Sequence, residues 1–115
     1  IKNPVTEESI KQNSKLIRKD FISNRTTAII QEGMRECVVY GSCRRLDQLE
    51  LAVAGKTGTA QWNKKKKPHS WFTSFAPYQD PEIVLTILVE AGGGGDETAV
   101  PIAYDFYKWW NKNYN

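Results

Sequence analysis

The 115 residues make one domain at most, and a composition of 40% hydrophobic and 25% charged residues is that of a soluble globular chain with a modest core. Sixteen basic against 13 acidic residues leave a net charge of only +3, much of it in the run Lys64 to Lys67, so general nucleic-acid binding has weak support. The longest apolar run, Ile83 to Val89, has the length of a strand and falls far short of the roughly 20 residues of a membrane span.

Residues 1–22 are polar and poorly periodic and read as a linker or partial element, with room for one short helix over Glu7 to Lys11 after Thr6. The opening IKNPVTEES carries no initiator Met, basic n-region or apolar signal core, so a piece of a longer protein is expected. From Ser23 or Asn24, both N-cap types, Ile29, Ile30, Met34, Cys37 and Val38 recur at three- and four-residue steps. That spacing predicts an amphipathic helix ending near Tyr40-Gly41, with Gly41 as its C-terminal stop.

A polar loop with Arg44 and Arg45 follows, then a predicted strand over Leu51 to Gln61 and a charged turn, NKKKKP. In HSWFTSFAP, Trp71, Thr73 and Phe75 alternate with Phe72, Ser74 and Ala76, which predicts a strand with bulk on both faces. YQDPE supplies a turn into Ile83 to Ala91, whose β-branched run predicts a second buried strand. After GGGGDE, read as a flexible turn, Ala99, Ile102, Ala103, Phe106 and Trp110 share one helical face, with Asp96 or Thr98 as cap and Pro101 in the first turn. Short connections favour an antiparallel three-strand meander flanked by an N-terminal and a C-terminal helix, an α+β fold. Aromatics such as Trp71, Phe72 and Trp109 are expected to leave apolar surface uncovered if these elements stand alone.

Three chemistries fail on spacing. A phosphate-binding loop would need a glycine at position 50, where the chain has Glu50. The glycines at 92–95 lack the final spaced glycine of a dinucleotide fingerprint. Two cysteines and the distant His69 do not make a zinc site, and no serine or cysteine partner for His69 can be assigned. Cys37 and Cys43 can form a disulfide in an oxidising compartment or stand as free thiols, and the sequence leaves both open.

Lys56-Thr57-Gly58 is the third element of the serine acyl-transferases that also carry Ser-x-x-Lys and a Ser-Asp-Asn-like triplet. Around it stand Gly55-Lys56-Thr57-Gly58-Thr59-Ala60-Gln61, then Ser74-Phe75-Ala76-Pro77-Tyr78, the strand at Ile83, and Ala91-Gly92-Gly93 before an apolar helix. This order resembles the C-terminal part of the transpeptidase domain of class B penicillin-binding proteins, most of all the elongation type. The resemblance covers residues 23–115 and implies that they are the C-terminal portion of a larger penicillin-binding, β-lactamase-like fold.

The resemblance implies a peptidoglycan D,D-transpeptidase working through a serine acyl-enzyme, with no metal or cofactor. Lys56 would be catalytic, and the backbone N–H of Thr59 would be one oxyanion-hole donor. Thr57, Gly58 and Thr59 would bind substrate, the two hydroxyls holding the carboxylate of a D-Ala-D-Ala stem peptide or of a β-lactam. Small residues such as Gly55, Gly58 and Ala60 would let a peptide lie alongside as another strand. Partners would be the remainder of the transpeptidase domain and elongation-machinery proteins, on the extracytoplasmic face of the membrane, with no nucleic acid and no membrane contact by this segment. The chain departs from the family in holding no Ser-x-x-Lys and no Ser-x-Asn. Ser42-Cys43-Arg44-Arg45 ends in an arginine too firmly protonated to act as a base, so the nucleophile is expected upstream and this piece is expected to be inert alone. The alternatives are a β-lactamase or penicillin-sensing domain of the same fold, and an interaction module with an incidental Lys-Thr-Gly.

Overall fold

The computed structural model describes residues 17–19 and 21–114, so the short helix expected over Glu7 to Lys11 lies outside the described residues. The elements run α1 (Asn24–Val39), a 3-10 turn (Arg44–Gln48), β1 (Ala54–Ala60), β2 (His69–Ala76), β3 (Ile83–Val89), a π-turn (Gly95–Ala99) and α2 (Val100–Tyr114). The three strands form one antiparallel sheet in the order β1-β2-β3, with a helix before it and a helix after it in the chain. That is the α+β meander expected from the sequence.

Ser23 starts α1 by accepting the N–H of Thr26 on its hydroxyl at 3.1 Å, which satisfies one of the donors a helix start leaves open. The other end closes on Gly41, whose N–H reaches the carbonyls of Glu36 and Cys37 at 3.2 and 3.1 Å. A Cβ on Gly41 would lie 3.0 Å from the Cys37 Cα, so the chain turns back close against the helix. There Cys37 and Cys43 form a disulfide, with Cα atoms 5.2 Å apart.

The apolar stripe expected on α1 is only partly used. Val38 is fully buried and Met34 half-buried, but Ile29 and Ile30 are 60% and 51% exposed. The helix meets β1 and the 3-10 turn, and its first residues, 24–30, are all exposed. Arg35 pins it, donating to the Val53 carbonyl at 2.8 Å ahead of β1.

Register sorts the sheet into two faces. Gly55, Thr57 and Thr59 stand opposite Ser74, Phe72 and Ser70, which in turn oppose Leu85, Ile87 and Val89. This face meets the core, where Phe72 and Ala76 pack with Val38, Leu46, Val53, Val100, Ala103 and Tyr107. The other face carries Lys56, Gly58, Trp71, Thr73, Thr86 and Leu88, and Val84 on it is 74% exposed. The β3 strand is therefore not buried on both faces as its β-branched run suggested. Its residues alternate half-buried and exposed because no described element covers the second face along β3, although Ala54 and Phe75 of β1 and β2 are buried on that face. Phe72, expected among the sticky aromatics, is fully buried, whereas Trp71 and Trp109 are exposed.

The last helix turns most of the expected stripe to the core, Ala99, Ala103 and Trp110 being buried, but is rotated enough to add Tyr107 and to leave Ile102 out. Val100, Ala103, Tyr107 and Trp110 are buried, while Ile102 is exposed and Phe106 is half-buried. Tyr107 takes the inner place because its phenol finds a buried partner, the Ser74 hydroxyl at 2.9 Å. Burial raises the Tyr107 pKa above its ordinary value, and the bond to Ser74 offsets part of that rise. Neither Asp96 nor Thr98 caps the helix. Thr98 instead donates its hydroxyl to the Gly92 carbonyl at 2.6 Å, and the Glu97 carboxylate accepts the Gly94 N–H at 3.4 Å.

Candidate active site

Lys56, Thr57, Gly58 and Thr59 all lie on β1, which among the described residues sits at one edge of the sheet and presents a row of backbone groups with no strand beyond it. Period-two geometry sends Lys56 to the open face and Thr57 and Thr59 to the opposite one. The Lys56 side chain is exposed, and its ammonium donates to the Thr57 carbonyl at 2.9 Å, lying back along the strand edge. A cation on one face, two hydroxyls on the other and the strand edge between them thus lie within four residues, and that edge is able to hold the backbone of an extended peptide with polar groups to either side of it.

Packing accounts for part of the missing bulk. A Cβ on Gly55 would run into the Phe72 ring, 2.7 Å from Cε2 and closer to Cζ, and 3.1 Å from the Ser74 Cβ. On the open face, a Cβ on Gly58 would stand 3.1 Å from the Trp71 Cβ. Gly55 is thus small for the core beneath it rather than for a ligand alongside it.

Two neighbours of the strand escaped the sequence reading. The Ser42 hydroxyl lies 2.7 Å from the Thr57 hydroxyl, although Ser42 drew attention in the sequence only as the wrong start of a Ser-x-x-Lys. Gly95 abuts the strand: a Cβ there would lie 2.6 Å from the Trp71 carbonyl oxygen, 2.9 Å from that of Gly58 and 3.0 Å from the Thr57 Cβ. The glycine run is thus a packed element and not a loose turn. Gly93 alone among its glycines takes a left-handed φ, +89°. Ser70 ties the run to β2, donating to the Gly94 carbonyl at 3.0 Å and accepting the Ala99 N–H at 3.2 Å.

At the far end of β1 the lysine run forms the expected turn. Trp62 organises it, donating its indole N–H to the Lys67 carbonyl at 3.0 Å, with the Lys66 ammonium 5.0 Å from its ring centre. The His69 ring stacks parallel to Trp62 with centroids 5.0 Å apart, and its Nδ1 accepts the Ala91 N–H at 3.0 Å. The stacking closes the β1–β2 hairpin and the hydrogen bond ties the start of β2 to the chain just after β3, and neither brings a serine or cysteine to His69. A groove of about 600 Å³ between residues 48–51 and the α2 side chains Tyr104 and Lys108 contains no residue of the Lys-Thr-Gly strand. Among the described residues, no group of three or more His, Cys, Asp or Glu is placed to hold a metal ion.

The penicillin binding protein transpeptidase domain model matches residues 1–108. A peptidoglycan D,D-transpeptidase MrdA of Haemophilus influenzae is 39% identical over 72 residues, covering 48% of this chain and 11% of that protein. The imipenem acyl-enzyme of penicillin-binding protein A from M. tuberculosis superposes with a TM-score of 0.63 at 29% identity, over 76% of this chain and 19% of the other. The complex of penicillin-binding protein 2 with MreC from Helicobacter pylori gives 0.67 at 29% identity, over 79% of this chain and 18% of the other. The chain thus spans between about a tenth and a fifth of the length of these three relatives.

Proposed function

Since the chain belongs to the penicillin-binding protein transpeptidase family, we propose that it is the C-terminal portion, from residue 23 on, of a peptidoglycan D,D-transpeptidase that cross-links stem peptides through a serine acyl-enzyme. The observation that carries this reading is the edge placement of Lys56-Thr57-Gly58-Thr59, with a lysine and two hydroxyls beside an unpaired strand edge. A substrate ending in D-Ala-D-Ala, or a β-lactam in its place, lies along β1 as an added strand. The hydroxyls of Thr57 and Thr59 donate to its carboxylate, and the Lys56 ammonium supplies the charge that holds the anion and helps organise proton transfer at the nucleophile. Gly58 leaves room for the substrate backbone.

The N–H of Thr59 is one of two donors to the oxyanion that forms when the nucleophile attacks. Loss of one such donor costs about 3 to 4 kcal/mol of transition-state stabilisation, so the position of this strand governs acylation. The nucleophilic serine and its lysine lie outside these 115 residues, and the open face of the sheet bearing Lys56, Trp71 and Leu88 is where the rest of the domain packs. The whole enzyme works at the extracytoplasmic face of the membrane beside the elongation machinery, in keeping with the MreC complex of the related protein. No helix among the described residues is long and apolar enough to cross a membrane, and the anchor belongs to another segment.

The test is the intact mass of the full-length polypeptide after incubation with a penicillin, with the modified peptide mapped. A stable adduct on a serine outside residues 1–115, formed much more slowly in the K56A variant, is expected. A folded protein that forms no adduct, or a K56A variant acylated at the parent rate, would sink the reading. Rapid hydrolysis of the adduct would point instead to a β-lactamase of the same fold.

A further inference from the structure

We propose that Ser42 is a positioning residue for the carboxylate-binding hydroxyl of Thr57, held in register by the Cys37–Cys43 disulfide; the inference rests on Thr57 binding the anionic end of the substrate. The two hydroxyl oxygens are 2.7 Å apart, a full hydrogen bond between residues 15 positions distant in the chain. Ser42 is also 3.5 Å from the Cys37 sulfur. A hydroxyl owns one proton and two lone pairs, whereas a disulfide sulfur owns no proton and accepts weakly.

These facts allow two proton arrangements. In one, Thr57 donates to Ser42, which donates to the Cys37 sulfur. In the other, Ser42 donates to Thr57, whose own proton is then free for a carboxylate oxygen. Passing from the first to the second gives up only the weak O–H···S contact. An anion arriving at Thr57 favours the second arrangement, since each bond in the chain from Ser42 through Thr57 to the carboxylate strengthens the next. Thr57 therefore reaches its donor state at little cost, and its Oγ1 is fixed when the ligand arrives.

The local fold supplies the rigidity this requires. Cys37 lies in the last turn of α1, Cys43 is fully buried, and Ser42 sits directly beside that anchor. Within the loop, the N–H groups of Gly41 and Cys43 both converge on the Cys37 carbonyl, at 3.1 and 2.9 Å. The disulfide closes the same loop covalently. Ser42 is thus delivered to β1 by a turn tied at both ends.

The experiment measures acylation of the full-length enzyme by benzylpenicillin and by its methyl ester, which lacks the carboxylate. The ratio of the two rates isolates recognition of the anion. S42A is expected to lower that ratio about tenfold, the worth of roughly one hydrogen bond, with an unchanged melting temperature, and S42T is expected to restore it. The C37A/C43A double variant is expected to lower it in the same direction by a smaller factor, and an unchanged ratio there would remove the disulfide from the proposal. Equal slowing of both probes by S42A would overturn the positioning role in favour of a purely structural one. T57V separates the layers: a ratio that collapses in T57V but not in S42A overturns this inference alone, and a ratio unmoved in T57V overturns the carboxylate reading of Thr57 with it.

Discussion

The ring of Phe72 lies across Gly55 from the neighbouring strand, so close that a single methyl group on Gly55 would sit 2.7 Å from its Cε2. Phe72 is fully buried and belongs to the main core cluster, so the ring can yield only by displacing packed neighbours. G55A is therefore expected to destabilise the full-length protein by about 1 to 3 kcal/mol, the usual cost of overpacking a close-packed interior. Denaturant unfolding measures it. An unchanged midpoint would show that the Phe72 ring yields freely and that this glycine is not required by the core.

Gly95 and Gly33 make an opposed pair. A Cβ on Gly95 meets the carbonyl oxygens of Trp71 and Gly58 at 2.6 and 2.9 Å, which are backbone atoms of β2 and β1. Relief requires the strand itself to move, so G95A is expected to slow penicillin acylation at least about tenfold, since small displacements of positioned groups are costly in rate. Gly33 lies inside α1 with nothing within 4 Å of its notional Cβ. G33A is expected to stabilise the protein by about 0.5 to 1 kcal/mol at unchanged acylation, because alanine loses less backbone entropy in a helix. Equal acylation rates in G95A and the parent would refute the coupling of the glycine run to the strand.

What could be read from the sequence divides along physical lines. Ser23 as cap, Gly41 as stop, the lysine turn and the three strands rest on local chemistry and period-two patterning, and each is where that chemistry puts it. The Lys-Thr-Gly strand was legible as a motif, and the structure places it at a sheet edge. Ala99, Ala103 and Trp110 on the inner face of α2 were legible too, but Tyr107 was not, because periodicity suits Phe106 as well as Tyr107. The choice between them is made by Ser74, 33 residues earlier in the chain. Ser42 and Gly95 were hidden for the same reason, since their importance lies in contacts with Thr57, Gly58 and Trp71 that no local pattern encodes.

The open face of the sheet gives a third expectation. Val84 and Leu88 are 74% and 46% exposed in this segment and stand on the same face as Lys56. If the rest of the domain covers them, L88D places a charge in an interface, and the full-length protein should lose several kcal/mol or fail to accumulate. L88M keeps the apolar contact and is expected to fold and acylate as the parent does. An L88D protein as stable as the parent would mean that this face stays in water and that the catalytic half packs elsewhere.

The buried pair of Tyr107 and Ser74 yields a pH signature. Burial disfavours the phenolate, so the Tyr107 pKa in the folded protein lies above the ordinary value of 10.0 that it regains on unfolding. Below pH 10 both states hold the proton and the difference contributes no slope. Above it the unfolded chain releases the proton first, so stability falls as pH rises from 10 toward the folded pKa. Y107F removes this ionisation, and melting curves of parent and variant between pH 8 and about 11 should diverge in slope only above pH 10. Within the neutral range Y107F is expected to cost about 1 kcal/mol, from the lost bond to Ser74, whose hydroxyl keeps the Leu85 carbonyl as a second partner at 3.4 Å. Parallel curves through pH 11 would show that the phenol reaches water in the folded protein, and the packing of α2 on the sheet would then need a different anchor.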